Sequence, residues 1–293
     1  MQTDGGGNVA EPETVRALLA RARATGVAVL DAQLLLAALL RRDRAQVLAF
    51  DEARVDPLTA AMFEAGLARR AAGEPLAYIT GVKEFWSLPL TVAPGVLVPR
   101  PETELVVELC LAHFRARADA AGAVEDSAAP PRVADLGTGS GAIALALARE
   151  QPQWHIVATD RSAAALEIAT INARRLGIAN VELRPGSWCE ALEGSFDAIL
   201  SNPPYIAAGD PALPALQHEP TAALVADDAG HADLVAIAGC ARGHLVAGGL
   251  LLLEHGATQA ARLRDELTRL GYHGITVHKD LAGHDRVTRA VWP

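Results

Sequence analysis

From residue 101 to the C-terminus, apolar runs of strand length alternate with stretches of helical period, and this alternation restricts the fold more than any other feature of the sequence. It reads as a helix over 102–118, a strand over 132–136, a helix over 141–150, a strand over 155–159 and a helix over 162–176. Strands over 180–184 and 196–200, a helix over 231–246, a strand over 249–254, a helix over 257–270 and strands over 273–278 and 286–291 complete it. Such a pattern predicts an α/β fold, a doubly wound and largely parallel sheet with helices on both faces. Ligands in these sheets bind beyond the carboxyl ends of the strands. The loops after residues 136, 159, 184 and 200 are therefore where chemistry is expected.

The first hundred residues follow a different pattern. Residues 11–72 read as several short helices, with Val15, Leu18 and Leu19 and then Leu34, Leu35, Leu39 and Leu40 as buried stripes, and Glu11-Pro12 and Asp31 as start signals. Pro57 opens another helix that Gly73 closes. The run from Tyr78 to Val98 is rich in β-formers punctuated by Gly81, Pro89, Pro94 and Gly95, and reads as a hairpin linker. The expected organisation is a helical domain over 1–77, the linker over 78–100 and the catalytic domain over 101–293, with a surface excursion at 119–131.

At 293 residues, 51% hydrophobic and 21% charged, the chain can bury a sizeable core. Charge is unevenly spread: the first hundred residues balance at 11 Lys+Arg and 11 Asp+Glu, whereas residues 101–293 carry 15 against 24. An anionic catalytic half disfavours binding to phosphate backbones, which needs clustered Lys and Arg. Cys110, Cys189 and Cys240 are odd in number, widely spaced and without a CxxC pair, which argues against a disulfide framework or a structural zinc. With no apolar run of membrane-spanning length and no basic leader, a cytoplasmic protein is expected, and nothing in the sequence calls for more than a monomer.

Three residue groups carry chemistry. In Asp135-Leu136-Gly137-Thr138-Gly139-Ser140-Gly141, the glycines let the backbone turn sharply and bring a ligand against a helix N-terminus. Asp160, closing the next strand, can accept both hydroxyls of a ribose, although it can also cap the helix beginning near Ser162. These two features suit NAD and S-adenosylmethionine equally. The third group, Asn202-Pro203-Pro204-Tyr205, follows the strand 196–200. Its prolines hold the backbone extended, so the Asn202 side-chain oxygen and the Pro203 carbonyl can accept both hydrogens of a planar amino group. Those acceptors orient the nitrogen and stabilise the positive charge it gains on attacking a methyl group. Tyr205 offers a flat face for stacking.

Together these motifs resemble class I S-adenosylmethionine-dependent methyltransferases acting on exocyclic or amide nitrogen. Three further segments narrow the likeness: 73–81 continued through Phe85-Trp86 to Val98-Pro99-Arg100-Pro101-Glu102-Thr103-Glu104, the Gly248 to Gly256 run, and Lys279-Asp280-Leu281-Ala282-Gly283-His284-Asp285-Arg286-Val287. They are similar to the HemK/PrmC family, whose members methylate the side-chain amide (N5) of the glutamine in the Gly-Gly-Gln motif of class I peptide chain release factors. That resemblance implies a Rossmann-like class I methyltransferase fold behind a small helical domain that helps to dock the substrate. It further implies that Gly137, Thr138, Gly139, Ser140 and Gly141 cradle the methionine part of the cofactor and Asp160 its ribose. Trp188 matches a position that flanks the adenine, and its size equally suits a partly buried core site. Asn202 would touch cofactor and substrate together, with Pro203, Pro204 and Tyr205 around the glutamine amide. Phe85, Arg100 and Glu102 are secondary candidates, for which packing or an ion pair is an equal reading. His218-Glu219-Pro220 reads as loop architecture, and no metal-binding spacing is present. The alternatives are a nucleic-acid exocyclic-amino methyltransferase using the same tetrapeptide and, outside that chemistry, an NAD-dependent oxidoreductase.

Overall fold

The structure, a computed structural model, describes residues 13–121 and 129–293, and the chain divides into two compact units after Gly81. The first unit contains β1 (Glu13–Thr14), α1 (Val15–Ala22), α2 (Val29–Leu40), α3 (Arg44–Ala49), β2 (Arg54–Val55), α4 (Pro57–Ala71) and α5 (Leu76–Thr80). Local chemistry sets the helix starts: Thr14 accepts the Ala17 N–H, Asp43 and Gln46 form a reciprocal capping box, and Asp56 caps α4 ahead of Pro57. Val15, Leu18, Leu35, Leu36, Phe63 and Leu67 fill the core. Of the expected stripe on α2, Leu35 is buried beside Ala32 and Leu36, while Leu39 and Leu40 pack half-buried against the same core and only Leu34 turns outward. Asp31 lies inside the first turn of α2, whose cap position is Ala28, and Glu11-Pro12 falls outside the described residues. Tyr78 and Ile79, read as strand residues, are helical in α5.

The second unit opens with the hairpin β3 (Val82–Phe85) and β4 (Leu88–Thr91). Trp86 and Ser87 turn it with φ of 51° and 58°, the two positive values a two-residue turn of matching twist requires. Phe85, Leu88 and Leu90 are buried with Val106, Val107 and Cys110, so the hairpin is a core element of this unit and not a free-standing connection. There follow α6 (Glu104–Ala121), β5 (Arg132–Leu136), α7 (Ala142–Glu150), β6 (His155–Asp160), α8 (Ala163–Leu176), β7 (Val181–Pro185) and β8 (Phe196–Ser201). The short β9 (Ile206–Ala207) and β10 (Val225–Ala226) pair with each other, and α9 (Asp227–Gly230), α10 (Ala232–Ala241), β11 (Leu245–Glu254), α11 (Ala260–Arg269), β12 (His273–Lys279) and β13 (Asp285–Val291) complete the unit. Of the expected 119–131 excursion, residues 122–128 lie outside the described residues.

One sheet of seven strands, ordered β12-β13-β11-β8-β5-β6-β7, runs through this unit. It is parallel from β11 to β7, and only β13 runs antiparallel to its neighbours. Both faces are covered. Leu250 and Leu252 pack into the cluster on one face while Leu251 and Leu253 pack into that on the other, as the two-residue period of a strand demands. The expected helix 231–246 ends earlier, at Ala241, and β11 begins at Leu245 with a register shift before Leu250 where Gly248 takes a φ of +77°.

Against the expectation from their spacing, Cys189 and Cys240 are joined in a disulfide, and Cys110 is buried and free. The pairing was hidden by a separation of 51 residues, which the fold closes to a Cα–Cα distance of 6.0 Å by laying α10 against the turn at residues 188–191. Among the described residues, no helix is long and apolar enough to cross a membrane.

Candidate active site

β5 lies between β6 and β8, so the chain leaves β5 toward one edge of the sheet and returns on its other side at β8. Such a reversal opens a crevice beyond the carboxyl ends of both strands. The Ser201 hydroxyl donates to the Leu136 carbonyl at 2.6 Å and ties those ends together. From one of them departs the glycine loop, and from the other Asn202.

The glycine loop is shaped by requirements that only glycine meets at two positions. Gly141, at the N-cap of α7, has a φ of +86°, and a Cβ there would lie 2.9 Å from Leu145 Cδ1. A Cβ on Gly137 would lie 3.1 Å from the ring of Trp188. The Thr138 hydroxyl turns inward to Asp135 at 2.6 Å, and burial pushes that carboxyl up to about 6. Gly139 N–H donates to one Asp160 oxygen at 2.9 Å and Ser162 N–H to the other at 2.8 Å. Ser162 itself caps α8 by accepting the Ala165 N–H. Asp160 is thereby freed from the capping role, and each oxygen keeps a lone pair for a ligand. Trp188 sits in the left-handed region at φ 48°, with its carbonyl accepting from the Thr159 hydroxyl at 3.2 Å.

At the other side of the crevice, the Asn202 amide nitrogen donates to the Thr103 hydroxyl at 3.0 Å. Among the described residues Asn202 Oδ1 has no hydrogen-bond partner. Pro203 and Pro204 are buried, and the Tyr205 hydroxyl donates to Glu254 Oε1 at 3.1 Å. Glu254 is 1% exposed. Burial pushes its carboxyl up to about 7, against the pull of the Thr103 and Tyr205 hydroxyls and the charge of Arg286. The Tyr205 phenol is raised above its ordinary value by burial first and the neighbouring Glu254 second. Behind the loop, Gln259 Nε2 donates to the Tyr205 and Gly230 carbonyls at 3.0 and 3.1 Å, while its Oε1 accepts the Gly256 N–H at 2.8 Å.

Gly137, Thr138, Gly139, Ser140, Asp160, Trp188, Asn202 and Pro204 all line one cleft of about 1020 Å³ counting its open mouth, a nucleoside-sized space. Gly141, Pro203 and Tyr205 are not part of its wall. Of the secondary candidates, Phe85 is a core residue, Glu102 is exposed, and Arg100 pairs with the buried Glu219, which also accepts the Val98 N–H at 3.0 Å. Glu219 therefore has the loop-holding role read for it. Thr103 and Glu254 lie in segments that carry the family resemblance but had no role assigned from the sequence, and Gln259 and Asn172 were not singled out there. Asn172 holds the glycine loop from behind: its Nδ2 donates to the Ser140 carbonyl at 2.9 Å and to the Thr91 carbonyl at 3.0 Å. A polar residue among the apolar positions of α8 was the one signal that could have found it.

Comparison with known proteins places this geometry. The family model "PrmC N-terminal domain" matches residues 13–81 and "Methyltransferase small domain" matches residues 123–226. A methyltransferase of Pyrococcus furiosus superposes with a TM-score of 0.52 at 21% identity, over 76% of this chain and 95% of that one. RsmC, a 16S rRNA methyltransferase of Thermus thermophilus solved with AdoMet and guanosine, gives 0.51 at 19%, over 72% of this chain and 50% of that one. The fold is that of the class I S-adenosylmethionine-dependent methyltransferases, and the cleft fits that cofactor: a glycine cradle, a carboxylate with free lone pairs and an aromatic wall. Among proteins of established name, the release factor glutamine methyltransferase of Coxiella burnetii is 46% identical over 259 residues, 88% of this chain and 90% of that protein. Its Escherichia coli counterpart is 44% identical over 261 residues, with the same coverage, and that of Bordetella pertussis 44% over 267 residues, 90% and 94%. The chain belongs to the release factor glutamine methyltransferase family.

Proposed function

We propose that this protein transfers the methyl group of S-adenosylmethionine to the side-chain amide nitrogen (N5) of the glutamine in the Gly-Gly-Gln motif of class I peptide chain release factors. The observation that carries the reading is the Asn202 amide, whose nitrogen is held by Thr103 while its oxygen is left for a ligand in the cleft. Family membership at 46% identity supports the substrate.

When bound, S-adenosylmethionine would supply an electrophilic methyl group, whose C–S bond breaks as the N–C bond forms and leaves its electron pair on sulfur as departing S-adenosylhomocysteine. Gly137 to Gly141 would cradle the cofactor's methionine part, Asp160 would accept from its ribose hydroxyls, and Trp188 would flank its adenine. Asn202 Oδ1 and the Pro203 carbonyl accept the two N–H bonds of the substrate amide and aim its nitrogen. An amide nitrogen is a poor nucleophile that becomes strongly acidic once it bonds to carbon and turns positive. Two fixed acceptors stabilise that charge as it forms, so no side chain has to remove a proton during the attack. The proton departs to solvent afterwards. Pro204 and Tyr205 bound the amide, with the phenol held by Glu254.

The helical domain, residues 1–77, docks the release factor, the enzyme acts as a monomer in the cytoplasm, and it makes no sequence-specific contact with nucleic acid. The excess of 24 acidic over 15 basic residues in 101–293 favours this reading over a nucleic-acid amino substrate. Labelled methyl from S-adenosylmethionine is expected on a release factor and absent when its Gly-Gly-Gln glutamine is replaced; undiminished label on the replaced substrate would overturn the assignment.

Asp160→Ala tests the cofactor side. Removing an ionised acceptor for two ribose hydroxyls is expected to weaken S-adenosylmethionine binding about a hundredfold, since each hydrogen bond to a charged group contributes on the order of 1.5–3 kcal/mol. Calorimetric affinity within threefold of the wild type would remove the ribose from its role.

A further inference from the structure

We propose that the turn between β12 and β13, with Leu281 at its tip, is a docking point on the catalytic unit for the body of the release factor, seated on an apolar patch beside the Gly-Gly-Gln loop; the inference rests on the reading of a release factor as the substrate.

Topology puts this tip on the substrate's side of the sheet. β11 runs parallel to β8, so its carboxyl end shares the rim from which Asn202 departs. β13 runs antiparallel to β11, with Val287 opposite Glu254, so the turn leading into β13 leaves from that same rim. In the sheet β13 lies two places from β8, and at about 4.8 Å per strand the tip stands roughly 10 Å to the side of the tetrapeptide. A glutamine side chain seated at Asn202 does not reach it. The folded protein that carries the glutamine does.

The tip is built to keep its shape and to pair its own charges. Asp280 Oδ1 accepts the Ala282 and His284 N–H groups, both at 3.0 Å, and Oδ2 accepts from Arg286 Nε at 3.2 Å and Nη2 at 3.1 Å. Arg286 Nη1 in turn donates to the His255 carbonyl at 3.3 Å, next to the Glu254 that holds Tyr205, and so fastens the tip to the site. Lys279 pairs with Asp285 at 2.9 Å and donates to the Gly283 carbonyl at 3.1 Å. What the tip presents is Leu281. Its relative exposure of 110% compares with 38% and 36% for Val82 and Ile171, the next most exposed large apolar side chains described in this unit. A leucine so placed adds nothing to the core; held on a fixed backbone, it is buried against a partner at little cost in ordering. Phosphate backbones need free Lys or Arg, and Lys279 and Arg286 are already paired, so the partner that fits is an apolar protein surface.

Substitution of Leu281 leaves the core untouched, which separates docking from folding. Leu281→Asp is expected to weaken the calorimetric affinity for a full-length release factor about tenfold and to raise its KM by the same factor. Its kcat, its affinity for S-adenosylmethionine and its denaturant midpoint should match the wild type. Leu281→Met, which keeps an apolar side chain, should stay within about twofold. Release-factor affinity of Leu281→Asp within about twofold of the wild type overturns the proposal. So does a wild-type dimer in sedimentation that Leu281→Asp dissociates, which would give the tip to a second copy of this chain. A wild-type protein that neither binds nor methylates a release factor defeats the substrate reading and this proposal together. Undiminished affinity of Leu281→Asp for a factor that the wild type methylates defeats the docking role alone.

Discussion

Asn202→Ala is expected to lower turnover about a hundredfold or more while S-adenosylmethionine binding weakens by a much smaller factor. In the proposed mechanism the oxygen removed would be one of two acceptors fixed on the nitrogen that becomes charged, and loss of one preorganised partner of a developing charge typically costs 10²–10³ in rate. Before attack the same nitrogen is neutral and its N–H bonds can be met by water, so ground-state affinity depends less on Asn202. The split follows from the place of Asn202 at the end of β8, where Ser201 fixes the backbone and Thr103 the side chain. Steady-state kinetics with a release factor, beside calorimetry with the cofactor alone, separate the two quantities. Unchanged turnover would remove Asn202 from the reaction.

The second large effect is expected at a glycine packed behind the tetrapeptide loop. Gly230 has a φ of +84°, and a Cβ there would sit 2.2 Å from the Tyr205 carbonyl oxygen and 2.8 Å from Gln259 Nε2. Both belong to the bridge that holds the tetrapeptide loop from behind. Gly230→Ala must therefore either displace Tyr205 or rupture the Gln259 bridge. Left-handed strain of about 1–2 kcal/mol and overpacking of about 1–3 kcal/mol put the destabilisation on the order of 3 kcal/mol. Turnover should fall more than tenfold with it, through misplacement of the loop. Gly239→Ala is the control: that glycine is helical, with nothing within 4 Å of an added Cβ, and the change should be neutral or stabilising by up to about 1 kcal/mol. Denaturant unfolding of the two variants checks the contrast, and equal stability would contradict it.

Which parts of the site could be read in the sequence follows from how local their physics is. The glycine loop and Asp160 lie at the ends of consecutive strands, and Asn202-Pro203-Pro204-Tyr205 directly follows another, so strand periodicity and backbone-restricting residues located all three. Thr103, within the Val98 to Glu104 run, had no role legible in the sequence because its hydroxyl acquires meaning only through Asn202, 99 residues away. Glu254 is tied to Tyr205 across 49 residues and Gln259 to the Tyr205 carbonyl across 54. No local signal encodes such pairings. The hairpin Val82–Thr91 was visible as β structure, but its burial beside Val106 and Cys110 depends on packing that spacing does not reveal. Likewise, cysteine spacing gave no hint that α10 brings Cys240 to Cys189.

In the proposed reaction, the cleft between Asp160 and Asn202 delivers a methyl group to one glutamine amide. Mass spectrometry of the release-factor peptide containing Gly-Gly-Gln, after incubation with S-adenosylmethionine and this protein, tests it most directly. The expected result is a single added methyl group, localised by fragmentation to the glutamine side chain and absent when the protein carries Asn202→Ala. An unmodified glutamine with the wild-type protein, or a methyl group on another residue, would contradict it.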